Sequence, residues 1–222
     1  MFPILLYNNV MREIIFKIDD KNSGLMIRDF LRNFGVSSAL LTKLKQDENG
    51  IKLNGKFAKA IEVLKSGDNL TINIKNSGKM PEKFECENVK VAYNDEDILV
   101  LNKPPLMPVH ESRNHRGDTL ANVAACYMES DCAFRAVYRL DRDTSGLVLI
   151  AKNELAASKL AGKIKKDYYA VVSGKFEGRG TIDLPIRRVQ ESIIERGVFD
   201  DGERAITHYE AIKTDGENTL LK

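Results

Sequence analysis

Short apolar runs separated by tight-turn residues restrict this chain more than any other feature. Ile14 to Ile18, Leu70 to Ile74, Val89 to Tyr93, Ile98 to Leu101 and Leu147 to Ala151 have the length and β-branched content of strands. Asn54-Gly55, Ser66-Gly67-Asp68, Asn94-Asp95-Glu96-Asp97 and Thr144-Ser145-Gly146 interrupt them as turns. Strands joined this closely pair antiparallel, because a parallel crossover needs a dozen residues or more. Phe134 to Tyr138, Tyr168 to Ser173 and Ala205 to Ile212 read as further extended segments. Strands therefore outnumber helices, and the expected fold class is α+β, with a mixed, largely antiparallel sheet flanked by helices.

Helical spacing is confined to short stretches. Asn22-Ser23 is the expected cap of a helix carrying Met26, Ile27, Phe30, Leu31 and Phe34, which Gly35 ends. Ser37-Ser38 caps a second, with Leu40, Leu41 and Leu44 inward and Lys43 and Lys45 outward. Asp118-Thr119 precedes a helix with Leu120, Val123, Ala124 and Tyr127 on one face, and Asn153 precedes one carrying Leu155, Leu160 and Ile164. Residues 76–83 have linker composition. The expected organisation is a small domain over 12–76, a linker over 77–86 and a second domain over 87–222.

Charge divides along the same line. Residues 1–80 hold 13 Lys or Arg against 8 Asp or Glu, whereas residues 81–222 hold 21 against 24. A basic module ahead of a mildly acidic one points to a polyanionic partner for the first part. No apolar run reaches the length of a membrane span, and the first residues have neither the basic start nor the cleavage site of a secretory signal. The expectation is a cytoplasmic protein, by default a monomer. Cys86, Cys126 and Cys132 form an odd number without a CxxC pair, which suits reduced thiols.

Two short helices, then a hairpin carrying Ile51, Leu53, Asn54, Gly55 and Lys56, then Gly67-Asp68 before the last strand, form a recognisable order. With Arg28, Phe30, Leu31 and Leu44, these residues resemble the small RNA-binding domain first described in a protein of the small ribosomal subunit. The resemblance implies an RNA-facing surface on the second helix and the hairpin. Here that surface carries Lys43, Lys45, Lys52 and Lys56, and the resemblance makes Arg28 a further RNA-binding candidate. Lysines of this kind supply salt-sensitive affinity for the phosphate backbone and little sequence choice.

The stretch richest in chemistry is Tyr138-Arg139-Leu140-Asp141-Arg142-Asp143-Thr144-Ser145-Gly146, set between apolar runs. Arg139 and Arg142 bracket Asp141, and a carboxylate near guanidinium groups stays ionised and can act as base or nucleophile. A surface turn with an internal hydrogen-bond network fits the spacing equally well. Arg-Leu-Asp-Arg-Asp-Thr-Ser-Gly-Leu, followed by an apolar strand and Ala151-Lys152, resembles the signature of the RluA/RluD-type pseudouridine synthases. Four further pieces come in that family's order: Asp97 to Pro104 with His110 downstream, Lys166 to Gly174, Ile182 to Ile186, and Ala205 to Tyr209.

The resemblance implies an enzyme that isomerises uridine to pseudouridine in RNA, with no cofactor. Asp141 matches the family's essential aspartate, as nucleophile on the anomeric carbon or as base on the neighbouring sugar carbon. Arg139 matches the arginine that fills the space of the everted nucleotide. Tyr168 matches the tyrosine that stacks on the flipped base, and Thr144 shapes the loop at the substrate. The implied partner is structured RNA, most of all large-subunit ribosomal RNA. Tyr138 stands where many relatives have His. A basic segment that follows the family's last matched strand is not found after Lys222, so a C-terminally truncated catalytic domain is expected, and the alternative is a catalytically incomplete RNA-binding protein. Asp143 beside Asp141 raises a paired-carboxylate glycosidase, but adjacent turn positions do not guarantee the separation such chemistry needs. His110, His115, Cys126 and Cys132 match no common zinc spacing, so no metal is expected.

Overall fold

The computed structural model describes residues 4–8, 11–75, 78–128, 132–189 and 195–222. Asn76 and Ser77, where the expected linker begins, lie outside the described residues. The chain divides into a first unit, Met1–Ile164, and a second, Lys165–Lys222.

The first unit opens with β1 (Ile4–Asn8) and β2 (Met11–Lys17), followed by α1 (Ile27–Phe34), α2 (Ser38–Gln46), β3 (Ile51–Leu53), β4 (Lys56–Phe57) and β5 (Asn69–Lys75). The strands form one antiparallel sheet in the order β1-β2-β5-β3-β4. Ile14 and Phe16 of β2, Leu70, Ile72 and Ile74 of β5, and Leu31, Leu40, Leu41 and Leu44 of the helices close a core beneath it. Ser37 caps α2 by accepting the Leu40 N–H at 3.2 Å, and Gly35 ends α1 in the left-handed region at φ 106°. The start of α1 differs from the sequence expectation. Its N-cap is Met26, while Asn22 and Ser23 lie in a preceding turn where Asp19 accepts from both the backbone and the side chain of Asn22. An Asp three residues earlier satisfies the donor locally, so the helix waits until Ile27 reaches the core.

The unit continues with β6 (Lys90–Asn94), β7 (Ile98–Lys103), α3 (Leu120–Ala124), β8 (Gly146–Ala151) and α4 (Glu154–Leu160). The sheet order is β6-β7-β8, all antiparallel. Leu99, Leu101, Val148 and Ile150 face Leu120, Val123 and Ala124 in a second core. Residues 135–137 run extended along β8, with Val137 N–H donating to Leu149 O at 2.8 Å and Ala151 N–H to Arg135 O at 2.9 Å. Residues 78–86 contain neither helix nor strand, yet Met80 is buried in the second core and Cys86 packs against it. α4 ends at Leu160, short of Ile164, and Gly162 follows at φ 70°.

The second unit is a sheet of β9 (Ala170–Ser173), β10 (Arg179–Arg188), β11 (Arg196–Val198), β12 (Glu203–Thr214) and β13 (Asn218–Leu221) in the order β11-β10-β12-β13-β9. Its pairings are antiparallel as well. The fold is thus α+β with antiparallel sheets and few helices. No helix among the described residues is long and apolar enough to cross a membrane.

Candidate active site

The loop between residues 138 and 146 leaves the extended segment beside β8 and returns as β8 itself. Tyr138 anchors its first end, its hydroxyl donating to Leu147 O at 2.9 Å. Thr144 N–H donates to Asp141 O at 3.2 Å, closing a turn over Asp141-Arg142-Asp143. Gly146 enters β8 at φ 134°, where a Cβ is disfavoured. Arg139, Asp141, Arg142 and Asp143 are exposed and Thr144 is half-buried.

The two acidic residues of the turn have different surroundings. Asp143 accepts from Arg142 Nε at 2.8 Å, and that bond holds its carboxyl below the ordinary value of 3.8. The carboxylate of Asp141 makes no hydrogen bond or ion pair with another of the described residues, so both its oxygens are open to a substrate.

Beneath this turn lies Lys103, a residue to which the sequence motifs assign no role. Its side chain has no solvent contact, and Nζ donates to three carbonyl oxygens: Met107 at 2.8 Å, Arg142 at 2.9 Å and Pro104 at 3.0 Å. Burial pushes the ammonium below its ordinary 10.5, while the nearby charges of Asp143 and Asp141 act the other way. A lysine has three donors, and all three are used. The signal was present in the strand period: Leu99, Leu101 and Lys103 alternate inward along β7.

His110 lies on the same side of the unit, its ring edge-on to Phe134 with centroids 5.1 Å apart. It stays below the ordinary histidine value of 6.5, first through burial and then through the positive charge of Arg139. His110, Phe134, Lys79, Glu82 and Arg116 line an open cleft of about 890 Å³. Arg139, Asp141 and Thr144 are thus gathered on one loop. Tyr168 belongs to the second unit, just before β9, and is 48% exposed.

The basic residues of the first sheet and its two helices are spread differently. Lys45 and Lys56 are exposed and Lys52 is half-buried on β3. Arg28 stands 3.5 Å from Asp29 of its own helix. Lys43 is committed to Glu154 of α4 at 2.5 Å.

Residues 97–222 match the family model described as RNA pseudouridylate synthase. The chain belongs to this family. Among pseudouridine synthases, it is 35% identical over 201 residues to the uncharacterized RNA pseudouridine synthase YjbO of Bacillus subtilis (strain 168), covering 83% of this chain and 69% of that protein. It is 30% identical to the uncharacterized RNA pseudouridine synthase YlyB of the same strain, covering 78% of this chain and 61% of the relative. A third relative, ribosomal large subunit pseudouridine synthase D of Buchnera aphidicola subsp. Baizongia pistaciae (strain Bp), is 38% identical over 168 residues, covering 70% of this chain and 51% of the relative. The chain therefore spans between about half and two thirds of these pseudouridine synthases. The match includes the whole loop around Asp141 and the lysine under it.

Proposed function

We propose that this chain is an RNA pseudouridine synthase acting on uridine in large-subunit ribosomal RNA, with Asp141 as its catalytic residue. The observation that carries this reading is the Asp141 carboxylate, exposed and uncommitted on a loop held from below by Lys103. A group that must reach a sugar needs open oxygens and a rigid mount. The isomerisation breaks the carbon–nitrogen glycosidic bond, turns the uracil and rejoins it through carbon 5, so no atom is gained or lost. Asp141 acts on the anomeric carbon or on the proton of the neighbouring sugar carbon. Arg139, exposed two residues earlier, fills the gap left by the everted nucleotide, and Thr144 holds the turn through its backbone N–H. Tyr168 stacks on the flipped base, for which its exposed ring is suited.

The substrate reading draws on relatives named as large-subunit ribosomal synthases. It draws also on the basic residues Lys45 of α2, Lys52 of β3 and Lys56 of β4, in a region that resembles a small RNA-binding domain. The experiment is a uridine-to-pseudouridine assay on large-subunit ribosomal RNA with the parent chain and Asp141→Ala. Product from the parent alone is the expected result. RNA binding without product in either form would instead identify an RNA-binding protein.

A further inference from the structure

β7 and β8 connect two sites at their opposite ends. Lys103 pairs with Gly146 at the end that carries the Asp141 loop, and Ile98 pairs with Ala151 at the other. With a rise of about 3.4 Å per residue, the two ends are roughly 17 Å apart.

At the far end the N-terminal sheet is bound to the turn between β6 and β7 and to α4. Arg12 of β2, only 5% exposed, donates to Asp97 Oδ2 at 2.7 Å. Asp97 Oδ1 accepts from Asn153 Nδ2 at 2.7 Å, and Asn153 caps α4 by accepting the Ala156 N–H. Four residues of α4 then meet α2, the core beneath the N-terminal sheet and the end of α1. Glu154 pairs with Lys43 at 2.5 Å and with Arg135 at 3.5 Å. Leu155 is buried in the core of the N-terminal sheet, not in that of its own. Ser158 Oγ donates to Gly35 O at 2.7 Å, and Lys159 Nζ lies 3.4 Å from the centre of the Phe34 ring.

The connection between the two sheets is held as well. Phe84 N–H donates to Asn122 O at 3.1 Å, Asn122 Nδ2 donates to Glu82 O at 2.9 Å, and Met80 is buried. Gly78 backs onto Ala133 so closely that a Cβ would overlap it. A shared apolar residue, an ion pair in which Arg12 is buried and Asp97 is not, the two ion pairs of Glu154 and a packed connection all act on one orientation.

We propose that the N-terminal sheet is a fixed arm of the synthase, and that Arg12, Glu154 and Leu155 determine specificity by setting the span between the basic face and Asp141. A tethered domain samples many distances, whereas a docked one accepts RNA of one span and meets the ordering cost during folding instead of at binding. Discrimination then rests on geometry, since the lysines themselves read no sequence. The specificity part rests on the proposed roles of Asp141 and the basic face; the docking does not.

Two measurements on the parent chain test the docking directly. Backbone NMR relaxation is expected to give one tumbling time for residues 12–75 and 87–164. Trypsin is expected to cut after Lys79 and Lys83 only slowly, at the rate of subglobal opening. Glu154→Arg, which faces Lys43 and Arg135 with a like charge, is expected to separate the tumbling times and speed those cuts by about ten-fold or more. Leu155→Glu tests the same contact from its apolar side, and Leu155→Met should behave as the parent. Independent tumbling or rapid cutting in the parent would overturn the docking.

The specificity part is read from pseudouridine formation on intact large-subunit ribosomal RNA and on the same RNA cut to short fragments. Glu154→Arg should raise KM on the intact RNA by about ten-fold and leave the fragments within about two-fold. Equal effects on both would overturn it. If no form makes pseudouridine, the synthase reading fails, and the tumbling and trypsin results still decide the docking.

Discussion

The Nζ of Lys103 donates to the carbonyl oxygen of Arg142 at 2.9 Å, so the last residue of β7 holds the backbone immediately after Asp141. The same ammonium holds Met107 and Pro104, residues of the segment that leaves β7. One cation with no solvent contact thus ties the segment leaving β7 to the Asp141 loop at the base of the candidate site.

Lys103→Met is expected to remove this tie while keeping the stem of the side chain. It leaves three carbonyl oxygens without their donor, at a cost of about 2–4 kcal/mol. Urea unfolding of parent and variant checks this, and a loss below about 1 kcal/mol would show that water or relaxation replaces the ammonium. A neutral Asn at 103 is too short to reach Arg142, so Lys103→Asn should do no better than methionine.

His110 is expected to titrate below 6.5, and Arg139→Ala to raise its midpoint without restoring that value, because burial is the larger cause and Arg139 the lesser. A proton NMR titration of the ring checks both statements. Unfolded chains bind this proton near 6.5 while the folded protein resists it, so stability falls as pH drops from 6.5 through the lowered folded value. His110→Gln should lessen that acid loss. An unchanged His110 midpoint in Arg139→Ala would separate the two residues electrostatically.

Gly50→Ala and Gly55→Ala should differ in cost although both glycines lie in turns of the same sheet. A Cβ at Gly50 would overlap the carbonyl carbon and oxygen of Leu44, backbone that cannot swing aside, so the loss should be about 2–4 kcal/mol. At Gly55 the space is open and only φ 81° resists, for which about 1 kcal/mol is expected. Thermal or urea unfolding of the two variants gives the order; equal losses would contradict it.

Elements governed by neighbouring residues were legible in the amino-acid order. Ser37 and Asn153 cap their helices and Gly35 ends α1 through contacts within three or four residues, and Asn54-Gly55 turns the hairpin through the positive φ of both residues. The chemistry-bearing loop was legible too, because Arg139, Asp141 and Thr144 are close in sequence and their motif needs no distant partner to be recognised. α1 starts four residues after the expected caps, since Asp19 competes for Asn22 and burial of Ile27 decides the helix start.

What tertiary structure alone decided involves partners far apart along the chain. The period of β7 turned Lys103 inward, but only folding placed Arg142, thirty-nine positions later, under its third donor. Lys43 reads as one more outward lysine until Glu154, 111 positions away, accepts it. Leu155 reads as the apolar stripe of its own helix, yet it completes the core of the N-terminal sheet. Sequence alone therefore determined the elements, their turns and the reactive loop, because backbone propensity and capping act over a few residues. Which cations stay free, which apolar face meets which core and how the loop is held depend on desolvation and close packing between distant segments, which only the folded chain brings together.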